Sequence, residues 1–349
     1  MLVCLSLSAL LLAGCAKNEI EHSENRGVYS AKLKNTDLDE KELIDKGYAL
    51  QDKGDWKEAY KIFEEYTIRF PKTTLGAFEA YRQRIRCLAE QGEFMDANDE
   101  VLDFINMYKE FLYSSQNRAF WEELRKFWFE KIALPLFYED IDKQIIADDT
   151  DDAIEVLEAI LNEEPKGPYS AKCLLLMGDG YYFDEDYWDA RTKYITVVKF
   201  YQNFSVEREE ALFKAAAATA ASIEGKKYDP DYISSKGSDL IERGALNFCD
   251  DYLGEYPKGK YVAQINELKQ KLFAVLAYRL YYAGRTYDIQ NFNEPAKIQY
   301  MLTIKIYGDE KAYPLCKEWV DKAKKQLRDY GIENYTEHKY WKEFTTDNN

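Results

Sequence analysis

A spacing of small and aromatic residues recurs along this chain and constrains its fold more than any other feature. In the segment Leu43–Pro71, Gly47 is followed twelve positions later by Ala59 and four positions after that by Phe63. The same steps separate a second glycine, alanine and aromatic residue: Gly178, Ala190 and Tyr194. The apolar residues around Ala59 recur at steps of three, four and seven, which is one face of a helix. The spacing therefore predicts pairs of antiparallel helices, in which small residues allow close approach and a large side chain fills the groove beside them.

Looser copies of this pattern extend over most of the chain. The alanines that mark them are separated by 38, 56, 37, 55 and 51 residues: Ala59, Ala97, Ala153, Ala190, Ala245 and Ala296. The positions of Gly47, Ala59, Phe63 and Pro71 resemble those of the tetratricopeptide (TPR) repeat, whose period is about 34 residues. The three separations of 51, 55 and 56 residues between alanines then require insertions or a longer first helix. We expect an all-α fold, a TPR-like helical-hairpin solenoid; independent hairpins with chance alanines are the alternative.

The N-terminus carries a targeting signal. An apolar run from Leu2 to Leu12 leads into Ala13-Gly14-Cys15 and then a polar segment. The run is shorter than the roughly 20 residues of a membrane span, and it has the length of a secretory h-region. It resembles the lipobox of bacterial lipoproteins, although no Lys or Arg precedes it. The resemblance implies lipidation of Cys15 with several acyl chains, as stable anchoring requires, and Ala16 then favours the outer membrane. An ordinary signal peptide is the alternative.

Composition shifts divide the rest of the chain. We expect a lipoprotein signal peptide at 1–14, a lipidated tether at 15–38, an N-terminal TPR-like array at 39–225, a Gly-, Pro- and Ser-containing linker at 226–237, C-terminal TPR-like repeats at 238–330 and a polar tail that frays at 331–349.

Charge and residue types exclude several classes of function. The net charge of −16 argues against a nucleic-acid partner. Only His22 and His338 are present, which weakens any histidine-based metal site or triad. We find no phosphate-binding glycine loop and no metalloprotease or hydrolase motif, and we expect no metal, no cofactor and no enzymatic activity. Two acidic clusters have the positions of helix caps, with metal binding as the alternative: Asp148, Asp149, Asp151 and Asp152, and Asp184-Glu185-Asp186.

Cysteines and aromatic residues outside the repeat positions leave alternatives open. The four cysteines after the lipobox are widely scattered, and we interpret them as small buried hydrophobes rather than disulfide partners: Cys87, Cys173, Cys249 and Cys316. The helix Ala119–Phe137 is aromatic around nearly its whole circumference, which is typical of a core helix or a partner surface. Two tyrosine-rich patches are either core or ligand contacts: Tyr181, Tyr182 and Tyr187, and Tyr281, Tyr282 and Tyr287.

The combination of a lipobox, a short tether and about five repeats resembles the BamD (YfiO/ComL) lipoproteins of the outer-membrane β-barrel assembly machinery. The matching segments are DKGDWKEAYKIFEEYTIRFP and LAYRLYYAGRTYDI, the second followed by NEPAKIQYMLTIKIYGD. The resemblance implies a non-enzymatic scaffold, anchored by lipid to the periplasmic face of the cell outer membrane. Its partners would be the barrel-assembly subunit, at the C-terminal repeats, and unfolded outer-membrane proteins, at the N-terminal ones.

If the resemblance extends to peptide binding, the groove Tyr48–Tyr81 would bind substrate peptides, with Tyr48, Tyr60 and Tyr81 as candidate contacts. Another tethered TPR lipoprotein, acting in cell-envelope synthesis or division, is the alternative function. A helical-toroid glycosidase is a third.

Overall fold

A computed structural model describes residues 37–143, 151–224 and 244–346. The expected signal peptide, Cys15 and most of the tether lie outside these residues, as do the expected linker and Asp148 and Asp149. Within the described residues every regular element is a helix, as the sequence predicts. No described helix combines the length and the apolarity that a membrane span needs.

The chain divides into two compact units, which meet in the sequence at Glu163 and Glu164. The first unit contains α1 (Glu40–Gln51), α2 (Trp56–Arg69), α3 (Leu75–Gln91), α4 (Phe94–Leu112), α5 (Arg118–Phe127), a π-helical turn (Trp128–Ala133), α6 (Leu134–Lys143) and α7 (Asp151–Glu163). The second contains α8 (Ser170–Phe183), α9 (Tyr187–Phe200), α10 (Ser205–Glu224), α11 (Leu246–Glu255), α12 (Val262–Ile289), α13 (Asn293–Tyr307), α14 (Lys317–Asp329) and α15 (Lys339–Thr346). The domain bounds expected from the sequence stay a prediction.

Local signals set the ends of the first helices. Asp39 and Glu42 form a reciprocal cap at the start of α1: Glu42 N donates to Asp39 Oδ1 at 2.8 Å, and Asp39 N donates to Glu42 Oε2 at 3.0 Å. Thr74 caps α3 by accepting from the backbone N–H of Ala77 at 3.1 Å. The left-handed residue Gly92, with a φ of 80°, ends that helix. These caps fix where the first hairpins turn.

The repeat register is confirmed by the contacts inside three hairpins. A Cβ on Gly47 would lie 2.5 Å from Phe63 Cζ, and a Cβ on Gly284 would lie 2.5 Å from Tyr300 Cε1. Gly178 is equally close to the Tyr194 ring. All six marker alanines are fully buried: Ala59, Ala97, Ala153, Ala190, Ala245 and Ala296. In each of these hairpins an aromatic ring of the second helix therefore rests on a glycine of the first, which is the packing that the spacing predicts.

The aromatic helix at 119–137 is mostly core. Trp121, Trp128 and Phe129 are buried, and the Trp128 indole N–H donates to Asn98 Oδ1 on α4 at 2.9 Å. Phe120 differs, because 40% of it is exposed. Residues Trp128–Ala133 form the π-helical turn, which shifts the phase of the side chains that follow. The core interpretation holds for the tryptophans, and a partner surface stays possible only at the exposed aromatic positions.

The four cysteines are buried and free, so the interpretation as small hydrophobes is confirmed. Burial raises the pKa of both Cys173 and Cys249 to about 12. The acidic clusters lie at helix ends: Asp151 and Asp152 are in the first turn of α7. Asp186 stands at the N-cap of α9, but its side chain makes no capping hydrogen bond. Among the described residues no cluster of His, Cys, Asp or Glu could hold a metal ion.

The tail does not fray along its whole length, which corrects the expectation from its polarity. Helix α15 forms at Lys339–Thr346, and four apolar side chains of the tail pack against the core of the second unit: Ile332, Tyr335, Tyr340 and Trp341. Tyr335 and Trp341 also contact each other, with ring centroids 5.0 Å apart. Aromatic residues among charges thus anchor this polar segment to the core of the second unit.

Candidate functional site

The three tyrosines expected to contact a ligand are on successive helices of the first unit. Tyr48 lies on α1, Tyr60 on α2 and Tyr81 on α3. Tyr48 is half-buried and donates to Glu79 Oε1 at 2.7 Å, and its ring packs edge-on against Phe63. Burial, followed by Glu79, raises the pKa of Tyr48. Tyr81 is only 7% exposed. The structure therefore leaves Tyr48 and Tyr60 partly accessible and places Tyr81 in the core.

Arg84 on α3 brings Tyr60 and Tyr81 together. Its guanidinium carbon lies 5.5 Å from the centre of the Tyr60 ring and 4.9 Å from that of Tyr81, and it donates to Tyr60 Oη at 3.3 Å. Arg84 also forms an ion pair with Glu100 on α4, to which Tyr60 Oη donates at 3.1 Å. Burial raises the pKa of Tyr60 to about 12. Although burial acts against the charged guanidinium, Glu100 raises the pKa of Arg84 above its ordinary value. This network joins α2, α3 and α4, so its primary role is structural.

A cleft lies beside α3, and the sequence did not predict it. It has a volume of about 370 Å³ and lies between α3 and the helix formed by α5 and the π-helical turn. Its lining is Arg82, Gln83, Ile85, Arg86, Glu90, Glu123, Leu124, Phe127 and Lys131. On α3, Arg82, Arg86 and Glu90 are spaced by four residues and so share one helical face. This spacing is the signal that could have indicated the cleft.

The cleft combines apolar side chains with three cations and two carboxylates, Glu90 and Glu123. Ile85, Leu124 and Phe127 contribute the apolar surface. Arg82 already has two carboxylate partners, since it donates to Glu79 at 3.2 Å and to Glu123 at 3.0 Å. Arg86 and Lys131 are both exposed, and neither forms an ion pair with any residue that the structure describes.

Arg86 is oriented by an aromatic neighbour. Its guanidinium carbon lies 5.7 Å from the centre of the Trp56 ring on α2, within the range of a cation–π interaction. A cation that keeps its hydrogen-bond donors free and rests on a ring is suited to bind a carboxylate. The cleft can therefore recognise an apolar side chain that stands beside a negative charge.

Tyr48 is connected to this cleft by hydrogen bonds. Glu79 accepts from Tyr48, from Arg82 and from Gln83 Nε2 at 2.7 Å, and Gln83 in turn accepts from Gln51 at 3.0 Å. Tyr48 thus shares partners with two residues that line the cleft. None of the three tyrosines predicted from the sequence lines the cleft, and Tyr48 is linked to it through Glu79.

The fold defines the class of protein: the residues that the structure describes form an all-α protein built of antiparallel helical hairpins. Two solved TPR structures align with it at low similarity. The C-terminal part of a TPR repeat-containing protein from Cytophaga hutchinsonii is 14% identical, with a TM-score of 0.33, over 81% of this chain and 87% of that one. A tetratricopeptide repeat protein from Parabacteroides merdae is 15% identical, with a TM-score of 0.30, over 81% of this chain and 98% of that one. No family model and no curated protein matches the chain.

Proposed function

We propose that this protein is a lipid-anchored periplasmic scaffold of the BamD-like type, which assists the assembly of β-barrel proteins into the outer membrane. Its contribution is protein and peptide binding, without an enzymatic step or a cofactor. The lipobox ending at Cys15 and the repeat segment that begins at Asp52 support the proposal. The TPR-like fold supports it at a coarser level, because stacked helical hairpins offer extended surfaces that bind other proteins.

The observation that carries the peptide-binding part is the cleft between α3 and α5. It presents Arg86 and Lys131 above the apolar side chains of Ile85, Leu124 and Phe127, in a chain with a net charge of −16. A free cation pair on such an acidic protein favours a ligand that carries negative charge. We therefore propose that an extended segment of an unfolded partner places an apolar side chain in the cleft and a carboxylate against the two cations.

The tyrosines then have different roles in this proposal. Tyr48 positions Glu79, which holds Arg82 at the rim of the cleft, and its partly exposed ring can contact a ligand. Tyr60 and Tyr81 stabilise the Arg84 network between α2, α3 and α4. Substitution of Tyr48 should weaken peptide binding, and substitution of Tyr81 should lower stability first.

A crosslinking pulldown from membranes, with the tagged lipoprotein as bait, tests the proposed partners. Recovery of the barrel-forming subunit and of unfolded outer-membrane proteins is the expected result. Recovery of wall-synthesis or division proteins instead would contradict the proposal and favour the alternative, a tethered scaffold for cell-envelope synthesis or division.

Charge reversal in the cleft tests the site itself. The double variant Arg86→Glu, Lys131→Glu should lose the crosslink to unfolded barrel proteins and should bind a barrel C-terminal peptide at least about tenfold more weakly, because each lost charge-assisted contact contributes more than about 1 kcal/mol. Lys53→Glu with Lys57→Glu is the matched control, since it makes the same charge change at exposed positions of the same unit. Equal losses in both double variants would assign the effect to net charge and would contradict the cleft as the site.

A further inference from the structure

Three turns of the second unit lie side by side along one edge. They span residues 164–169, 201–204 and 256–261, and together we call them the turn edge. Tyr201 Oη donates to the Pro165 carbonyl, which joins the first turn to the second. Arg208 lies on α10, just after the second turn, and its Nη1 donates to Tyr256 Oη in the third turn at 3.0 Å. These contacts hold the three turns in a fixed arrangement.

Two large apolar side chains project from the middle of this edge. Phe200 is 76% exposed and Val206 is 72% exposed, although phenylalanine and valine are among the residues most often buried. They flank the turn, in which the half-buried rings of Tyr201 and Phe204 pack with centroids 6.0 Å apart. The pair therefore projects from a rigid support, and its exposure is a property of the folded turn.

Four lysines lie in these turns or next to them. All four are exposed, and none forms an ion pair with a residue that the structure describes: Lys166, Lys199, Lys258 and Lys260. The Lys260 ammonium lies 4.9 Å from the centre of the Tyr261 ring.

Most of the carboxylates beside the lysines already have hydrogen-bond or ion-pair partners. Glu255 is paired with Arg208, with Nη2 to Oε1 at 3.0 Å. Glu209 accepts from Tyr252 Oη and from the Lys260 backbone N–H, each at 2.6 Å. Three further acids stand near the edge and are half-buried, and one of them, Glu210, is paired with Lys214; the others are Glu164 and Glu207. The turn edge thus presents more exposed positive than negative charge, on a chain whose net charge is −16.

We propose that the turn edge rests on the surface of an anionic lipid bilayer. Phe200 and Val206 enter the boundary between headgroups and acyl chains, and the four lysines face the lipid phosphates. Two separate apolar side chains on an edge that also carries four exposed lysines fit a bilayer better than a protein partner, because protein interfaces are depleted in lysine and need a contiguous buried patch. This contact is independent of the proposed lipidation of Cys15 and of barrel assembly. It would orient the second unit at the membrane.

Binding of the chain without residues 1–15 to pure lipid vesicles tests the proposal. This form has neither the apolar run Leu2–Leu12 nor an acyl chain, and the vesicles contain phosphatidylglycerol and phosphatidylethanolamine or only phosphatidylcholine. We expect co-sedimentation with the anionic vesicles and weaker binding to the neutral ones. Phe200→Ser with Val206→Ser should weaken the binding at least about tenfold, and each Lys→Gln change should weaken it roughly fivefold.

Ile289→Ser is the matched control, because Ile289 is 74% exposed and lies at the far end of α12, whose first residue adjoins the turn edge. It should leave vesicle binding unchanged. The proposal would be overturned if the Phe200, Val206 double variant sedimented as well as the parent, or if the parent did not sediment with the anionic vesicles. The second outcome would leave a protein as the occupant of the edge. Since the assay contains no barrel-assembly protein, its failure leaves the proposed function untouched, and a failed pulldown leaves this test intact.

Discussion

Tyr300 lies so close to Gly284 that the second helix of the last hairpin packs directly against the backbone of the first. A Cβ at Gly284 would be 2.5 Å from Tyr300 Cε1 and 2.9 Å from Cζ. Gly284→Ala should therefore destabilise the protein by about 1–3 kcal/mol, because the buried ring must shift. Urea unfolding followed by circular dichroism measures the change. Gly254→Ala is the control: no atom lies within 4 Å of the added Cβ, and alanine in a helix should be neutral or stabilising by up to about 1 kcal/mol. Equal effects at both glycines would mean that the close approach does not limit the packing.

The ion pair between Arg84 and Glu100 makes a second prediction. Their side chains are 13% and 14% exposed, so either charge would have little contact with solvent if the other were removed. Arg84→Met should cost about 3–5 kcal/mol in the free energy of unfolding, since it leaves the Glu100 carboxylate uncompensated. Adding Glu100→Leu should recover most of that loss. A double variant as unstable as Arg84→Met would show that Arg84 acts through the Tyr60 and Tyr81 rings rather than through the charge of Glu100.

Buried thiols should be inert in the native protein. Burial raises the pKa of Cys316 to about 11 and that of Cys249 to about 12, against an ordinary value of 9.0. Because only the thiolate reacts, alkylation near neutral pH should be slowed by about two to three orders of magnitude. Mass spectrometry of a chain with Cys4→Ser and Cys15→Ser should find four unmodified thiols in the folded state and four labelled ones in urea. Rapid labelling of the folded chain would contradict the burial of these residues.

The buried tyrosines should make the fold sensitive to alkali. Burial raises the pKa of Tyr60 to about 12, and burial with the hydrogen bond to Glu209 raises that of Tyr252 to about 12, above the ordinary value of 10.0. A raised pKa means that the folded state holds the proton more tightly than the unfolded state. The stabilisation is therefore complete below about pH 10 and is lost as the pH rises to about 12. Urea midpoints measured across this range should fall, and tyrosinate absorbance should rise together with unfolding.

Tyr60→Phe provides the control for that titration. The variant lacks the hydroxyl, so its urea midpoint should fall less between about pH 10 and 12 than that of the parent. An identical decline in parent and variant would exclude Tyr60 as a contributor.

The hairpin register could be predicted from the sequence because it depends on steps within one hairpin. Gly178, Ala190 and Tyr194 meet through local helical geometry, and no distant residue is needed to place them. The cleft could not be predicted in the same way. Arg86 and Lys131 come from separate helices, and the π-helical turn adds a residue, which rotates the side chains after it by about 100° relative to an α-helix.

Some contacts could not be predicted because they join single side chains. Arg84 lies against the rings of Tyr60 and Tyr81, and the role of these two tyrosines as groove contacts stays a prediction. The polar tail contains Tyr335 and Trp341, whose spacing follows no helical period, and yet the two rings pack together. Hydrophobic periodicity indicates the faces of helices, and it carries no information on single contacts between irregular segments.

The glycine and aromatic contact also explains where this chain tolerates changes of length. Within three hairpins the steps of twelve and four residues are invariant, whereas the distance between successive marker alanines varies from 37 to 56 residues. Each of these three hairpins closes on a glycine and a ring of its own, so added residues between hairpins leave that closure intact. One residue inserted between Gly47 and Phe63 would instead rotate the Phe63 ring away from Gly47. We therefore expect the chain to accept an insertion between hairpins and to lose its packing when the insertion falls within one.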